Sequence, residues 1–348
     1  MYNLVINDYD RQVYEKELKS FLPESFIDIH THVWLNTMTP EGDSNGGSTW
    51  TNLVADEMSA PQLLDSFKRL FPENKVTPLV FGGIAQKLDE CNSYVYDTAK
   101  EFGFPILTRT DYKMDPDALA AEVQANHSLG LKPYLTFSPP YIPAKELRIF
   151  DFLPHEHLEA ANKYGWVVML HIARDQRLRD AVNLAQLMEI ERKYPNVKLI
   201  CAHIGRAYSK QDLGDAFDIL KNTKNMLFDF TANLCDDAIE ACINAVGTDR
   251  LLFGSDLPIS IMRMYRITDE TGWYKNVVPR GLYGDVSYDR HMQESDEDTI
   301  TLMIYEQIRA FKRVAQKLHL TDTQIENVMY TNAKNLLENA EKDIYGVK

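Results

Sequence analysis

The chain has 348 residues, of which 45% are hydrophobic and 25% are charged, a composition typical of a globular protein with a large core. Its formal net charge is -14 at pH 7, and no run of lysine or arginine offsets the acidic excess. These values exclude the basic surface that a nucleic-acid-binding protein needs. The length fits one large α/β domain, so we interpret residues 1–348 as a single domain.

The sequence offers no membrane or secretion signal. Residues 1–20 lack a basic start followed by a sustained apolar stretch, and no later apolar run is long enough to cross a bilayer. We therefore expect a cytoplasmic protein that does not contact a membrane. The cysteines contain no CxxC pair, so we expect reduced core thiols rather than disulfides or a zinc-ribbon site. They are Cys91, Cys201, Cys235 and Cys242.

Eight short runs of apolar, β-branched or aromatic residues recur along the chain, with amphipathic segments between them. Such alternation indicates βα units and a parallel sheet. Eight units predict an α/β fold of the (β/α)8 TIM-barrel type, followed by C-terminal helices at about residues 297–345. The predicted strands are residues 26–32, 77–83, 104–110, 131–137, 166–172, 197–204, 225–232 and 251–256.

The first predicted strand, FIDIHTH, ends in two histidines one residue apart. Because alternate residues of a strand face the same side, His30 and His32 share a face. Two neutral imidazoles in a core leave several polar nitrogens without partners, and a metal ion would satisfy both rings. An HxH motif on its own is a weak signal, so the other strands must decide.

Three other predicted strands also end in residues that can bind metal. His171 ends the fifth strand, His203 ends the sixth and Asp256 ends the eighth. In a (β/α)8 barrel the C-terminal ends of all strands meet at the active-site mouth, so these side chains should converge with His30 and His32. Histidine nitrogens with a carboxylate oxygen suit a divalent ion such as zinc, with one position left for water.

The residues around these positions resemble those of a known enzyme family. DIHTH, MLHIAR, AHIGR, FGSDLP and the late TNAKNLL resemble the amidohydrolase-2 branch of the amidohydrolase superfamily, over about residues 25–338. That branch contains decarboxylases of aminocarboxymuconate semialdehyde and of resorcylate, and lactonases of pyrone dicarboxylates. The resemblance therefore implies a metal-dependent enzyme with a TIM-barrel fold.

The resemblance also implies a role for each candidate residue. His203 would activate or position water or substrate, and Asp256 would act as a ligand, a base or both. The cofactor would be one divalent metal ion, with zinc expected and manganese as the alternative. Its implied ligands are His30, His32, His171 and Asp256.

Three further residues are weaker candidates. Some members of the wider superfamily bridge two metals with a carbamylated strand-4 lysine, but Lys132 is predicted near the start of its strand, so a salt bridge inside the barrel is favoured instead. His155 and His157 form a second HxH motif at a predicted helix start. Residues two apart on a helix face different sides, so we expect both histidines to be solvated.

Arginines near the predicted mouth indicate the charge of the substrate. Arg174 and Arg206 each follow a site histidine by three residues, and a guanidinium there can hold a carboxylate through two hydrogen bonds. Arg263 and Arg266 follow Asp256 on a long segment and support the same prediction of a small carboxylated substrate. The alternative is that these arginines pair with nearby acidic residues, namely Asp175, Asp212 or Asp269.

Residues 33–56 and 257–295 are predicted to be long lid loops over the C-terminal face, because they exceed the usual length of a βα connection. Their aromatic residues suit a ring-bearing substrate, but they equally suit a subunit interface, which leaves a homo-oligomer open. These aromatic residues are Trp34, Trp50, Tyr265, Trp273, Tyr274, Tyr283 and Tyr288.

Together these features predict a metal-dependent hydrolase that acts on the lactone, amide or similar carbonyl of a small carboxylated substrate through a metal-activated water. The alternative is a metal-dependent nonoxidative decarboxylase, a carbon–carbon lyase, of an aromatic or unsaturated carboxylic acid. A noncatalytic binding protein is disfavoured because the complete implied ligand set is present.

Overall fold

A computed structural model of the protein describes residues 2–40 and 53–346. Strands and helices alternate along the chain between residues 25 and 252, as predicted. The strands in this region are β1 (Ser25–Val33), β2 (Lys75–Gly82), β3 (Thr108–Thr110), β4 (Gly130–Pro133), β5 (Val167–Leu170), β6 (Lys198–Cys201), β7 (Leu227–Asp229) and β8 (Leu251–Leu252).

These strands pair in parallel and in sequential order. The six strands from β3 to β8 form one sheet, and β1 pairs with β2 in another. Backbone hydrogen bonds also join the segments that flank the two sheets. The Leu107 N–H donates to the Val80 carbonyl over 3.1 Å, and the Ile29 N–H donates to the Phe253 carbonyl over 3.0 Å.

Most of the observed strands are shorter than predicted. The fourth, predicted to continue to residue 137, ends at Pro133 and is followed by a 3-10 turn at Leu135–Phe137. Proline has no backbone N–H and cannot donate a hydrogen bond to a neighbouring strand, which explains why the strand ends at Pro133. The eighth, predicted as residues 251–256, ends at Leu252, and Asp256 therefore lies on the loop that follows.

Helices follow most of the strands, and several of them begin at side-chain caps. Ser59 caps the helix before β2, and Asp180 caps the helix after β5. The helices up to β8 are α1 (Asp8–Val13), α2 (Ala60–Leu70), α3 (Leu88–Phe102), α4 (Pro116–Ala125), α5 (Ile149–Phe152), α6 (His155–Tyr164), α7 (Ala181–Lys193), α8 (His203–Arg206), α9 (Lys210–Leu213), α10 (Ala216–Leu220) and α11 (Asp236–Val246). Of these, α8 is a single turn whose four residues have positive φ, and it is not a regular right-handed helix.

The segment predicted as a lid loop at residues 257–295 contains regular structure. It forms a three-stranded sheet of β9 (Tyr265–Thr268), β10 (Tyr274–Pro279) and β11 (Met292–Ser295), with β10 in the centre. The helices predicted at about residues 297–345 follow this sheet. They are α12 (Met303–Lys317), α13 (Asp322–Glu326) and α14 (Asn332–Tyr345).

The core surrounds the strands on both sides, which explains their continuous apolar sequences. One apolar cluster contains strand residues such as Ile29, Met169 and Leu252 together with Ala333 and Leu336 of α14. The helix α14 therefore packs against the apolar strand residues. In the described residues no helix is both long and apolar enough to cross a membrane. All four cysteines are free; Cys91, Cys201 and Cys242 are buried as expected, whereas Cys235 is half-buried.

The expectation that His157 is solvated is wrong. His157 is 1% exposed, and its Nε2 lies 2.8 Å from the Met114 carbonyl. His155 is half-buried, with its Nδ1 2.7 Å from the Tyr194 hydroxyl. The start of α6 is covered by neighbouring elements, which the spacing of two histidines in sequence does not reveal.

Candidate metal centre

The five predicted metal-capable residues lie just at or beyond the ends of four strands. His30 and His32 are among the last residues of β1, while His171, His203 and Asp256 follow β5, β6 and β8. All five line one cavity of about 260 Å³. The convergence predicted from the strand ends is therefore present in the structure.

Asp256 lies between the two histidines of β1. Its Oδ1 is 2.9 Å from Nε2 of His32 and 3.5 Å from Nε2 of His30. Burial alone would raise the pKa of this carboxyl, but the hydrogen bond from His32 and the charges of the nearby histidines outweigh it and lower the pKa. Asp256 is therefore an anion at neutral pH that can bind a cation or accept a proton.

Asp229, at the end of β7, orients two of the histidines. Its Oδ2 lies 3.1 Å from Nδ1 of His30, and its Oδ1 accepts the N–H of His203 over 2.7 Å. A carboxylate only accepts hydrogen bonds, so His30 carries a proton on Nδ1 and its Nε2 faces Asp256. Carboxylates often orient metal-binding histidines in this way. Asp229 was not among the predicted site residues, although an acidic residue at the end of the seventh strand was a usable signal.

The other two rings near Asp256 are held by backbone carbonyls. Nδ1 of His203 lies 2.9 Å from the Thr231 carbonyl, and Nδ1 of His32 lies 3.2 Å from the Gly82 carbonyl and 3.1 Å from the Tyr134 hydroxyl. Burial is the largest cause that lowers the pKa of His203, and its ring is therefore neutral at pH 7. A neutral imidazole can bind a metal or accept a proton.

His171 differs from these three histidines. Its Nδ1 is buried and has no hydrogen-bond partner among the described residues. Burial, followed by the charge of Arg206, lowers the pKa of His171 well below the ordinary value, so this ring is also neutral. A buried, neutral ring nitrogen without a protein partner fits a ligand atom of a metal ion.

Among the described residues, His30, His203 and Asp256 form a group whose potential ligand atoms all lie within 4.8 Å of one another. Two imidazole nitrogens and a carboxylate oxygen form a donor set that suits a divalent transition metal. This group includes His203, for which the family resemblance implies a role outside the ligand set. His32 and His171 lie beside the group in the same cavity.

The backbone at this site adopts an uncommon conformation. His203, Arg206 and Asp256 have φ values of 59°, 60° and 66°, and Arg174 has 67°. A left-handed conformation costs a residue with a Cβ atom roughly 1–2 kcal/mol, so the surrounding fold must stabilise it. His203, Arg206 and Asp256 line the cavity, so the left-handed backbone lies at the site itself.

The structure corrects the placement of Lys132. The strand β4 ends at Pro133, so Lys132 lies near the C-terminal end of its strand rather than near the start. It also lines the cavity, and its Nζ has no hydrogen-bond partner among the described residues. The expected salt bridge inside the barrel is therefore absent from the described residues. Burial is the main cause that lowers the pKa of Lys132 from 10.5 to about 8.

The predicted arginines fall into two groups. Arg206 and Arg266 line the cavity, and neither forms a salt bridge within the described ranges 2–40 and 53–346. Arg174 instead donates to Asp180 over 2.9 Å, and Arg263 donates to Asp10 over 2.6 Å. The structure does not bring Arg174 or Arg263 into the cavity.

Aromatic residues of the two long segments were predicted to cover the mouth. Tyr274 of β10 lines the cavity together with Tyr208, and the two rings meet edge-on with centroids 5.3 Å apart. Trp34 is buried beside a small recess next to His32. Trp50 lies outside the described residues.

With this geometry in view, comparisons with known proteins assign the chain to a family. Residues 27–338 match the sequence model of an amidohydrolase family, Amidohydro_2, and the chain belongs to this family. This confirms the resemblance found in the sequence. No curated protein matches the chain at a significant level.

Solved structures share the fold at low sequence identity. A probable 2-pyrone-4,6-dicarboxylic acid hydrolase from Acinetobacter baumannii with bound citric acid has a TM-score of 0.56 at 14% identity, over 90% of this chain and 99% of that chain. An amidohydrolase from Burkholderia multivorans with bound zinc has a TM-score of 0.60 at 12% identity, over 90% and 99%. A 2,6-dihydroxybenzoate decarboxylase complexed with 2,6-dihydroxybenzoate has a TM-score of 0.55 at 14% identity, over 91% and 99%.

Proposed function

We propose that this protein is a metal-dependent hydrolase that acts on a lactone, amide or similar carbonyl of a small carboxylated substrate. The observation that carries the proposal is the convergence of four histidines and one ionised carboxylate on a single cavity of about 260 Å³. When bound there, a divalent ion would acidify a water molecule and polarise a carbonyl group.

The donor set supports one divalent ion. Imidazole nitrogens and a single carboxylate oxygen suit zinc, with manganese as the alternative, and the unpartnered Nδ1 of His171 supports the inclusion of that residue. The ligands we propose are His30, His32, His171 and Asp256.

His203 and Asp256 are the proposed acid–base residues. The neutral ring of His203 has its Nδ1 held by the Thr231 carbonyl, so the remaining ring nitrogen can accept a proton from water and later return it to the leaving group. Asp256 is ionised and can share this task. Arg206 offers its guanidinium to the substrate carboxylate. We do not assign this role to Arg174, because the guanidinium of Arg174 is paired with the carboxylate of Asp180.

We also propose that residues 1–348 form one domain in which β1 to β8 close into a (β/α)8 barrel. The hydrogen bonds between Ile29 and Phe253 and between Leu107 and Val80 support closure, because they join the two parallel sheets on both sides. The sheet of β9 to β11 then covers part of the C-terminal face, where Tyr274 and Arg266 reach the cavity.

The test is hydrolysis by the metal-loaded protein. The protein is stripped of metal with a chelator, reloaded with zinc or manganese, and assayed with a panel of carboxylated lactones and amides. We expect metal-dependent release of the hydroxy acid or amine, and weaker activity on the matching methyl esters. If no member of the panel is hydrolysed by either metal form, the hydrolase proposal fails.

A nonoxidative decarboxylase is the second candidate. The rings of Tyr208 and Tyr274 beside the cavity favour it, because they suit the planar framework of an aromatic or unsaturated acid. Release of carbon dioxide from a panel of aromatic acids, measured on the same metal-loaded preparations, separates the two reactions. Carbon dioxide release without lactone hydrolysis would favour the decarboxylase.

A further inference from the structure

Two polar side chains at the end of β4 face the cavity of the proposed metal site. Lys132 belongs to β4, and Tyr134 directly follows Pro133, the last residue of the strand. Tyr134 has extended backbone angles, so its side chain and that of Lys132, two residues apart, point to the same side of the chain. Both residues are buried and line the cavity. The end of β4 therefore presents an ammonium group and a phenolic hydroxyl to the same space.

The ammonium group of Lys132 has three N–H donors and no hydrogen-bond acceptor among the described residues. Its Nζ lies 5.0 Å from the centroid of the Phe81 ring and 4.9 Å from that of the Tyr134 ring. Aromatic faces attract a cation but do not replace the hydrogen bonds that it loses on leaving water. The charges of Asp229 and Asp256 act on Lys132, but neither carboxylate accepts a hydrogen bond from it. The missing acceptor is therefore expected to come from a ligand.

Arg109 is a contrasting buried cation on the neighbouring strand. It is the partner of Lys132 in the register of β3 and β4, and it is equally buried. Its guanidinium donates to the Gly83 carbonyl and, over 2.6 Å, to the Gln86 carbonyl, and it does not line the cavity. The described part of the fold thus provides acceptors for the cation outside the cavity and none for the cation that faces it.

The hydroxyl of Tyr134 has a proton to donate. Its oxygen lies 3.1 Å from Nδ1 of His32, and the same Nδ1 lies 3.2 Å from the Gly82 carbonyl. A carbonyl oxygen only accepts hydrogen bonds, so Nδ1 of His32 carries a proton and the Tyr134 oxygen is a second acceptor for it. Burial raises the pKa of Tyr134 well above its ordinary value, so the hydroxyl keeps its own proton at neutral pH. Among the described residues, this proton has no acceptor.

We propose that Lys132 and Tyr134 are catalytic residues that donate hydrogen bonds to the substrate oxygen on which negative charge develops during hydrolysis. This inference rests on the proposed function and deepens it, because it adds two donors to the same site. An oxygen that becomes an anion is the acceptor that both groups lack. Donors that are fixed before the reaction stabilise such an oxygen strongly in a buried site.

The charge on this oxygen follows from the proposed hydrolysis. The water oxygen forms a bond to the carbonyl carbon, its proton passes to His203, and one electron pair of the C=O bond moves to the carbonyl oxygen. When the bond to the leaving group breaks, that electron pair returns to the C=O bond, and the leaving group takes the proton from His203. The carbonyl oxygen is therefore negatively charged only between these two steps, and Lys132 and Tyr134 stabilise that interval.

The first test compares a tetrahedral anion with a planar carbonyl. The probes are 3-phosphonobenzoate and 3-acetylbenzoate, which share a benzoate and differ in the group that mimics the charged intermediate or the uncharged carbonyl. Both are titrated by calorimetry into the full-length protein as purified. We expect the phosphonate to bind at least about 100-fold more tightly, as analogues of a transition state do. Equal Kd values would overturn the proposal.

Variants assign this preference to the two donors. Lys132→Met and Tyr134→Phe should each lower the ratio of the two Kd values at least about tenfold, because each removes one hydrogen bond to an anion. The matched controls are Lys113→Met and Tyr141→Phe, at two exposed residues outside the cavity lining, and their ratios should not change. A ratio that is unchanged in Lys132→Met or in Tyr134→Phe would overturn the proposal.

Stability and metal content separate catalysis from a structural role. Lys132→Met should not lower Tm, because methionine has a similar length and removes a buried charge without a partner. Tyr134→Phe keeps the ring beside Lys132, so it tests the proposal even if the Lys132 variant does not fold. Its metal content should match that of the unchanged protein. Loss of metal in Tyr134→Phe would mean that Tyr134 acts only through His32, and it would overturn the proposal.

Kinetics then distinguish this proposal from the proposed function. On any lactone or amide that the protein hydrolyses, both variants should lower kcat roughly 100-fold and change KM less than about threefold, because the contact forms during the reaction. Hydrolysis with an unchanged kcat in both variants would contradict only the role of the two donors. The expected binding ratios in a protein that hydrolyses nothing would contradict only the proposed function, because the titrations need no turnover.

Discussion

Asp229 contacts two different histidines of the site at once. One carboxylate oxygen accepts from the ring of His30 and the other accepts from the backbone of His203 and of Thr231. Both oxygens are therefore needed as acceptors, and the residue is fully buried. Asp229 acts as a positioning residue for the proposed metal site rather than as a ligand.

We expect Asp229→Asn to weaken metal binding by roughly 10- to 100-fold, because an amide replaces one of the two acceptor oxygens with a donor. The measurement is the Kd for zinc, obtained by competition with a chromophoric chelator. Asp218→Asn, at an exposed residue of α10, is the matched control and should bind zinc like the unchanged protein. Equal zinc affinities in both variants would show that Asp229 does not orient the site.

Asp28 is a second buried acid close to the site, with a different consequence. Its Oδ1 accepts the N–H of Ser255 over 2.8 Å and that of His30 over 3.2 Å, but its Oδ2 has no partner among the described residues. Burial is the main cause that raises the pKa of Asp28 from 3.8 to about 7. In the unfolded chain the same carboxyl ionises near 3.8, so between these pH values only the unfolded state has lost the proton.

A raised pKa in the folded state lowers the stability as the pH rises through this window. We therefore expect the unchanged protein to lose stability between about pH 5 and about pH 7, whereas Asp28→Asn lacks this loss. The free energy of unfolding of the variant, relative to that of the unchanged protein, should rise over this range by at most about 3 kcal/mol. Asparagine keeps an oxygen acceptor and cannot ionise. Urea unfolding at a series of pH values, with chelator in both samples, measures the difference. Parallel pH profiles for the two proteins would contradict the assigned pKa.

At the level of elements, the strands were predictable because each is a short apolar run buried on both faces. The histidines of the site were predictable for a related reason, since the ends of parallel strands meet. The sheet of β9 to β11 was not, because its two outer strands are four residues long and partly exposed, so their pattern differs little from that of a loop. The pairing of Arg174 with Asp180 depends on the paths of two loops, which the sequence does not specify.

The helix α1 shows how a distant contact can determine a structure. Asp10 is fully buried and accepts from Arg263, which lies between β8 and β9. Asp10 also accepts from the Thr301 hydroxyl over 2.6 Å, just before α12. The N-terminal helix is therefore attached to the segment that carries the three-stranded sheet.

We expect Arg263→Ala to lower the free energy of unfolding by about 3 kcal/mol, because the buried Asp10 carboxylate loses its positive partner. Chemical denaturation measures the change. Arg290→Ala, which removes an exposed arginine of the same segment, should change stability by less than about 0.5 kcal/mol. The double variant Arg263→Ala with Asp10→Asn should recover part of the loss. A similar loss in the Arg290 and Arg263 variants would contradict this account of the contact.

At the scale of the whole molecule, the distribution of charge contrasts with its total. The chain carries a net charge of -14, yet its cavity is lined by Lys132, Arg206 and Arg266 as well as by the histidines. Positive side chains that line a cavity raise the local concentration of small anions, even when the protein as a whole is acidic. The fold therefore brings the proposed metal ligands and three cationic side chains together in one cavity.

The metal content per chain tests the central claim most directly, and it is measured by elemental analysis of the unchanged protein, His171→Ala and His203→Ala, each purified without chelator. We expect about one divalent ion per chain in the unchanged protein, a strong loss of metal in His171→Ala, and nearly full occupancy in His203→Ala. Because a positioned acid–base group contributes roughly 10²- to 10⁴-fold, kcat of the His203 variant should fall by that factor even though its metal remains bound. An unchanged protein without metal would contradict the metal centre itself. Equal metal loss in both variants would place His203 among the ligands and contradict the proposed division of roles.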